Sequence, residues 1–296
     1  MGIVFAPIGP LGAVASGVDT SQALGEAGVR AIEAGMDEYG VLVFRKQLLT
    51  EEQQLDFARQ FGPLDIGFGK VRNQAAPGAA GRAHRLQYRE LGDISNLDMD
   101  GQVAARNSQK IVGNLANQLW HSDSSFQKPR AKYSMLYALV VPGEGGDTEF
   151  ADLRLAYDAL PARLKKQVEG LVAQHHPLHS RFMLGDTNYT QEQRDAIQPA
   201  FWPLVQTDPR TGRKILYVGA HAAQIEGMGV AEGRMLLMDL LEHATQRAHV
   251  YTHQWQVGDL VMWDNTATSH RGRWFDLSKK RELRRSTTED YGNFPT

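Results

Sequence analysis

The chain has 296 residues, of which 42% are hydrophobic and 22% charged, with a formal net charge of −2. This ordinary globular composition is enough to bury a core, and the near-neutral balance provides no general attraction to nucleic acid or an anionic membrane. Cysteine is absent, which excludes disulfides, zinc-thiolate sites, iron–sulfur clusters and thiol nucleophiles; a bound metal would have to use His, Asp and Glu.

The opening MGIVFAPIGPLGAVASG is apolar but has no basic segment and is interrupted by Pro7 and Pro10, so it makes a poor signal peptide. No apolar run is long enough to span a bilayer. The expectation is one soluble, cytoplasmic domain over residues 1–296, with neither membrane nor nucleic acid as partner. Residues 21–39 have helical composition and stop at Gly40, before the apolar run VLVF at 41–44, which reads as a buried strand. Thr50 opens TEEQQLDFARQFG, where it caps a helix with Gln53 in the reciprocal position and Leu55, Ala58 and Phe61 face inward.

From 65 to 91 the composition turns to Gly, Ala, Pro, Arg and His without a sustained period. A loop of this length in a compact domain is a candidate active-site lid, with Lys70 near its start. Short strands follow at 110–112, 119–124, 133–141, 214–218, 250–255, 260–263 and 283–288, with turns at Pro142, GEGGD (143–147) and 257–259. Helices are inserted at 153–170 and 231–246, the second with Leu237, Leu240, Leu241 and Ala244 on one face. The pattern predicts a mainly β fold with inserted helices (α+β), a sandwich or jelly roll. GEGGD lacks the Gly-Lys-Ser/Thr ending of a phosphate loop and reads as a turn, and Pro177 interrupts the cluster of His175, His176 and His179 as a metal site.

The chemistry concentrates in LWHSDSSF, residues 119–126. On a strand, His121 and Asp123 point to one side and Ser122 to the other. One imidazole and one carboxylate hold a transition metal weakly, and the best distant third ligand is His270 in LVMWDNTATSHRGRWFD. Two histidines and a carboxylate form the facial triad that holds non-haem Fe(II) and leaves three positions open. In KKRELRRSTT (279–288), strand alternation places Arg281, Leu283, Arg285 and Thr287 on one face and Lys280, Glu282, Arg284 and Ser286 on the other. If the first face points inward, its two guanidinium groups need anionic partners, and their spacing of about 13 Å lets them serve two different carboxylates. A triad iron also needs a source of electrons; a 2-oxo acid provides them by oxidative decarboxylation, and an arginine fork matches its distal carboxylate.

The H-x-D pair, the distant His270 and an arginine eleven residues later resemble the Fe(II)/2-oxoglutarate dioxygenases of the taurine dioxygenase family. The resemblance runs through YGVLVFR, DFARQFGPL, NQLWHSDSSF, GGDTEFAD, YDALP, VGAH, GDLVMWDN, HRGR and KRELRR, and within the family it is strongest to members acting on 2,4-dichlorophenoxyacetate. It implies a double-stranded β-helix that uses Fe(II), 2-oxoglutarate and O2, with His121, Asp123 and His270 on the metal. It implies Arg281 and Thr148 on the distal carboxylate of 2-oxoglutarate, and Arg285 on the anion of a small aryloxyalkanoate substrate. Lys70, Asn117 and His221 are further substrate-pocket candidates, and Phe68, Phe182 and Leu184 are candidates to enclose the aromatic ring. Folds of this class often form homo-oligomers. Competing readings are the same chemistry on a phenoxypropionate, sulfonate or plant aryl acid, a His2Asp zinc hydrolase, and a metal-dependent binding module.

Overall fold

Alternating side chains build the frame. In the strand Val41–Phe44, Leu42 and Phe44 pack on one side with Ile32 and Met36 of the helix Gly25–Tyr39 and Phe57 of the helix Glu51–Arg59. Val41 and Val43 pack on the other side with Phe150 and Trp263. The strand Leu260–Asp264 repeats the division, with Leu260 and Met262 on the helix side and Val261 and Trp263 opposite. Period-two sequences of this kind bury both faces of a strand only between two layers.

The computed structural model describes residues 2–66, 85–187 and 189–291. A seven-stranded sheet runs in the order Val4–Pro7, Ala13–Ser16, Val41–Phe44, Leu260–Asp264, Ala131–Val140, Glu282–Glu289 and Gly92–Ser95. Opposite lies a three-stranded sheet ordered Val250–His253, Thr148–Asp152, Thr268–Gly272, whose Phe150 ring meets Trp263 with centroids 5.5 Å apart. The two sheets make the jelly roll. A separate core joins the helices Leu153–Asp158 and Val230–Ala244 to the small sheet of Val172–His175, Ala200–Pro203 and Ala222–Ile225. No helix among the described residues is long and apolar enough to cross a membrane.

The capping box at Thr50 forms as the sequence predicts: Thr50 Oγ1 accepts from Gln53 N at 3.1 Å, and Thr50 N donates to Gln53 Oε1 at 2.9 Å. Leu237, Leu240 and Ala244 are buried on the helix Val230–Ala244. Three expectations need correction. Residues 110–112 are not a strand but part of the helix Gln109–Leu115, started by Ser108, whose Oγ accepts from Ile111 N; apolar Ile111 and Val112 suit either element, and the cap decides. Residues 119–124 are not a strand either. A 3-10 turn at Ala116–Gln118 leads to a single bridge at His121, and the chain then turns through Ser124 at φ 48°. The helix expected over 153–170 breaks into Leu153–Asp158 and Ala162–Val168, because Pro161 has no amide hydrogen to continue the ladder. The lid expected at 65–91, with Phe68 and Lys70, falls largely in 67–84, outside the described residues.

His175 shows what burial does to the histidines of the helical layer. Its ring stacks on Tyr217 at 5.2 Å, and burial, with Arg130 adding to it, pushes the imidazole down to about 3. The folded protein therefore keeps His175 neutral where the unfolded chain would protonate it at about 6.5. Its stability contribution is complete above that pH and is lost as pH falls toward 3, by about 1.4 kcal/mol per pH unit. Urea unfolding at pH 7.5, 6.0 and 5.0 should show this decline, and His175→Phe should make it shallower; an unchanged slope would show that His175 titrates alike in the folded and unfolded chain.

Candidate active site

His121 and His270 are brought together by their backbones. His121 N donates to His270 O at 2.9 Å and His270 N to His121 O at 2.8 Å, which sets the two rings side by side with centroids 4.2 Å apart. His121 Nδ1 lies 2.8 Å from Leu119 O; as a carbonyl can only accept, Nδ1 carries the hydrogen and Nε2 is left with a free lone pair. Asp123 reaches the same point from the turn, with Oδ1 at 3.8 Å from His121 Nε2 and Oδ2 at 3.8 Å from His270 Nε2. Ligand atoms of all three residues lie within 4.8 Å of one another, and this is the one group with metal-binding geometry among the described residues.

All three are buried. Burial, the largest influence, pushes both imidazoles below their ordinary value, so they stay neutral, the form that binds metal. Burial opposes the Asp123 carboxylate, yet the Arg285 guanidinium, with the Ser134 hydrogen bond, outweighs it and holds the group well below the usual carboxylate range. The arrangement is an anionic, two-imidazole pocket that fits a divalent transition metal.

Arg281 and Thr148 line the same cavity as His121 and His270. Arg281 is buried, and its Nε and Nη2 both donate to Gly146 O, at 3.3 and 3.0 Å. It has no ion pair among the described residues, and burial, only partly offset by Asp147, pushes the guanidinium down to about 10. A buried cation held by one carbonyl and the face of the Phe275 ring, 5.5 Å away, with no ion pair among the described residues, is a ready site for an anion. Thr148 Oγ1 accepts from Trp255 Nε1 at 3.0 Å, which leaves the hydroxyl hydrogen available to the same anion. Together the two groups can take a carboxylate in the cavity that His121 and His270 also line.

The run GEGGD is indeed a turn, with Gly145 at φ 71° and Gly146 at φ 73°, but it is also part of the site. Gly146 supplies the carbonyl for Arg281, and a Cβ there would stand 3.0 Å from Arg281 Nε. Asn96, unremarked in the sequence, holds the segment leading into Arg281: its Oδ1 accepts from Arg281 N, and its Nδ2 donates to Leu277 O and Lys279 O.

Arg285 also lines the cavity, and its Nη1 pairs with Asp123 Oδ1. Arg284, on the opposite side of the strand, bonds Gln54 Oε1 and Leu49 O. Asn117 is in the cavity wall. His221 is not; it stands behind His121, with ring centroids 6.0 Å apart, and against Phe126 at 4.9 Å. Gly219 permits that approach, since a Cβ there would meet His121 Cα at 3.3 Å. Phe182 and Leu184 are exposed and do not line the cavity: Phe182, on the short helix His179–Met183, faces outward and packs on Tyr189, and Leu184 caps that helix. Ile94, Ile111, Leu115 and Leu277 form the apolar wall instead.

A jelly roll that holds a His-Asp-His triad beside a buried, anion-seeking arginine defines a mononuclear non-haem metal oxygenase. Residues 5–287 match the family described as taurine catabolism dioxygenase TauD, TfdA family, and the chain belongs to it. It is 58% identical over 291 residues, 98% of this chain and 99% of the relative, to the alpha-ketoglutarate-dependent 2,4-dichlorophenoxyacetate dioxygenase of Cupriavidus pinatubonensis. It is also 58% identical over 266 residues, 90% of this chain and 87% of the relative, to a protein of the same name from a Burkholderia species. The crystal structure of AAD-2 in complex with Mn(II) and N-oxalylglycine superposes with a TM-score of 0.90 at 44% identity, covering 98% of both chains. The protein is an oxidoreductase that uses Fe(II), 2-oxoglutarate and O2, and the zinc hydrolase and binding-module readings are set aside.

The contact between Gly146 and Arg281 makes a prediction. Gly146→Ala combines a strained positive φ with a methyl group against the guanidinium, at a cost of about 1 kcal/mol or more. Calorimetric titration of the metal-loaded protein should show 2-oxoglutarate binding weakened several-fold while metal affinity holds; equal affinity for 2-oxoglutarate would show that Arg281 does not depend on this turn.

Proposed function

We propose that the protein hydroxylates the side-chain carbon of an aryloxyacetate such as 2,4-dichlorophenoxyacetate, in a reaction that also converts 2-oxoglutarate and O2 to succinate and CO2. The hydroxylated carbon lies between the ether oxygen and the carboxylate, so the product is a hemiacetal. Its carbon–oxygen bond breaks to give the phenol and glyoxylate. The observation that carries the reading is the placement of two arginines, Arg281 and Arg285, in one cavity with His121 and His270, one for each of two carboxylates. The two relatives of that name support the substrate class, and N-oxalylglycine, found in the similar AAD-2 structure, has the shape of 2-oxoglutarate with NH in place of a methylene.

In this reading His121 and His270 would hold the metal through Nε2 and Asp123 through a carboxylate oxygen. When bound, Fe(II) supplies the oxygen-activating chemistry that no side chain here offers. Arg281 grips the distal carboxylate of 2-oxoglutarate as a fork, and Thr148 adds its hydroxyl hydrogen, kept free by the Trp255 donor. Arg285 holds the substrate carboxylate so that the adjacent methylene faces the triad, an orientation that lowers the barrier by removing freedom before reaction. Ile94, Ile111 and Leu115 exclude water from the aromatic ring. Asn117 borders the substrate from the wall, and His221 acts through the His121 ring it packs behind rather than by touching substrate.

The test is oxygen uptake by metal-stripped protein supplied with Fe(II), 2-oxoglutarate and 2,4-dichlorophenoxyacetate, with phenol measured in parallel. Equal uptake and phenol release are expected. Uptake without phenol would reject the aryloxyacetate, and no uptake with any acid of a wider panel would overturn the assignment as a whole. Arg281→Ala should raise the KM for 2-oxoglutarate, and Arg285→Ala that for the aryloxyacetate, each on the order of a hundredfold for a lost charge-assisted pair of ~3 kcal/mol. An unchanged KM in either variant removes that arginine from its role.

A further inference from the structure

The sequence assigns Ser134 and Asn265 no role, yet both are fully buried beside Asp123, Ser134 against its carboxylate and Asn265 against its backbone. Ser134 lies on the strand Ala131–Val140, whose Tyr133 and Met135 face the helical layer, so Ser134 between them faces the space between the sheets. Asn265 follows the strand Leu260–Asp264 in the turn that leads to the strand bearing His270.

Their hydrogen bonds run in one direction only. The Trp263 indole Nε1–H and the Asp123 main-chain N–H both reach Asn265 Oδ1, each at 3.0 Å. Both groups can only donate, so the amide oxygen must lie there and the amide nitrogen must face Ser134, whose Oγ is 2.9 Å away. Ser134 then has one hydrogen to give and two neighbours, Asp123 Oδ2 at 2.8 Å and Thr287 Oγ1 at 3.2 Å. A carboxylate cannot donate, so the Ser134 hydrogen goes to Asp123 and Thr287 donates to Ser134. Every site on the hydroxyl is thereby used. Arg285 Nη1 takes the other carboxylate oxygen.

We propose that Asn265 and Ser134 form a directional relay that locks the rotation of the Asp123 carboxylate and so sets its affinity for the metal. They are positioning residues: Trp263 and the Asp123 backbone fix Asn265, Asn265 fixes Ser134, and Ser134 fixes Oδ2. Burial excludes water as a substitute partner, so removing either link leaves the carboxylate held by Arg285 alone, which fixes Oδ1 but no longer fixes how Oδ2 is turned toward the two imidazoles. The proposal rests on the metal-binding part of the function above and is independent of the substrate.

The experiment titrates Mn(II) into the metal-free full chain, with free Mn(II) read by electron paramagnetic resonance, and records thermal unfolding without metal alongside. Ser134→Ala and Asn265→Ala should each raise the Mn(II) Kd by about ten- to a hundredfold, the usual effect of losing a partner that orients a metal ligand. The double variant should be little worse than the single ones, since the relay acts as a unit. Ser134→Thr, which keeps the hydroxyl, should restore Kd to within about threefold of the parent. A purely structural role would lower the unfolding temperature and leave Kd alone, so a folded Ser134→Ala with unchanged Kd overturns the proposal. That variant decides the matter if Asn265→Ala does not fold. A parent protein that binds no Mn(II) overturns both this and the metal site. A parent that binds Mn(II) but releases no phenol with iron loses only the substrate assignment.

Discussion

The pair of backbone hydrogen bonds between His121 and His270 is the joint on which the site depends. The strand Thr268–Gly272 lies at the edge of the three-stranded sheet, where main-chain groups would otherwise be unpaired. The loop after the 3-10 turn covers that edge for a single residue, then leaves it at once through Ser124. One residue of pairing is enough to place two imidazoles side by side. The departure that follows swings Asp123 across to face both of them.

Around that joint, buried charges are divided unevenly. Asp123 is given Arg285 and Ser134, so its negative charge is secure in a low-dielectric interior. Arg281 is given one carbonyl and an aromatic face, and loses basicity to burial. A fold selected for stability alone would pair that guanidinium or replace it with an apolar side chain. Its charge lacks an anionic partner among the described residues, a local cost that in the proposed role is offset by the carboxylate it would bind, and the glycine turn at 145–146 brings a backbone carbonyl close enough to steer it. Departures from the rules of a well-satisfied core mark functional positions in this way.

The regular elements were largely legible. The strands around 41–44, 133–141, 260–263 and 283–288 and the capped helix at Thr50 follow from alternation and cap chemistry, which are local. Errors arose where local information was ambiguous, as at Ile111, or where a tertiary contact overrode it, as at His121, whose strand-like sequence makes only one bridge. The ring-enclosing residues were misplaced for a related reason. Phe182 and Leu184 have the right chemistry, but nothing in so short a segment tells which way it will face; the cavity wall is made in part by Ile94, Ile111 and Leu115, from a strand and the helix that follows it.

What the sequence determined by itself was the inventory: which strands bury two faces, which residues can hold a metal, and which arginines share a face. These depend on periods of two and on residue chemistry within a few positions. Only the tertiary structure decided which of those groups meet. His121 and His270 are joined across 149 positions by a pair of backbone bonds, and Ser134 and Asn265 across 131 by one side-chain bond. Contacts at such separation are set by how two sheets stack and where a loop crosses an edge, and no local pattern records them. That is why the ligands could be read from the chain and the side chains that orient them could not.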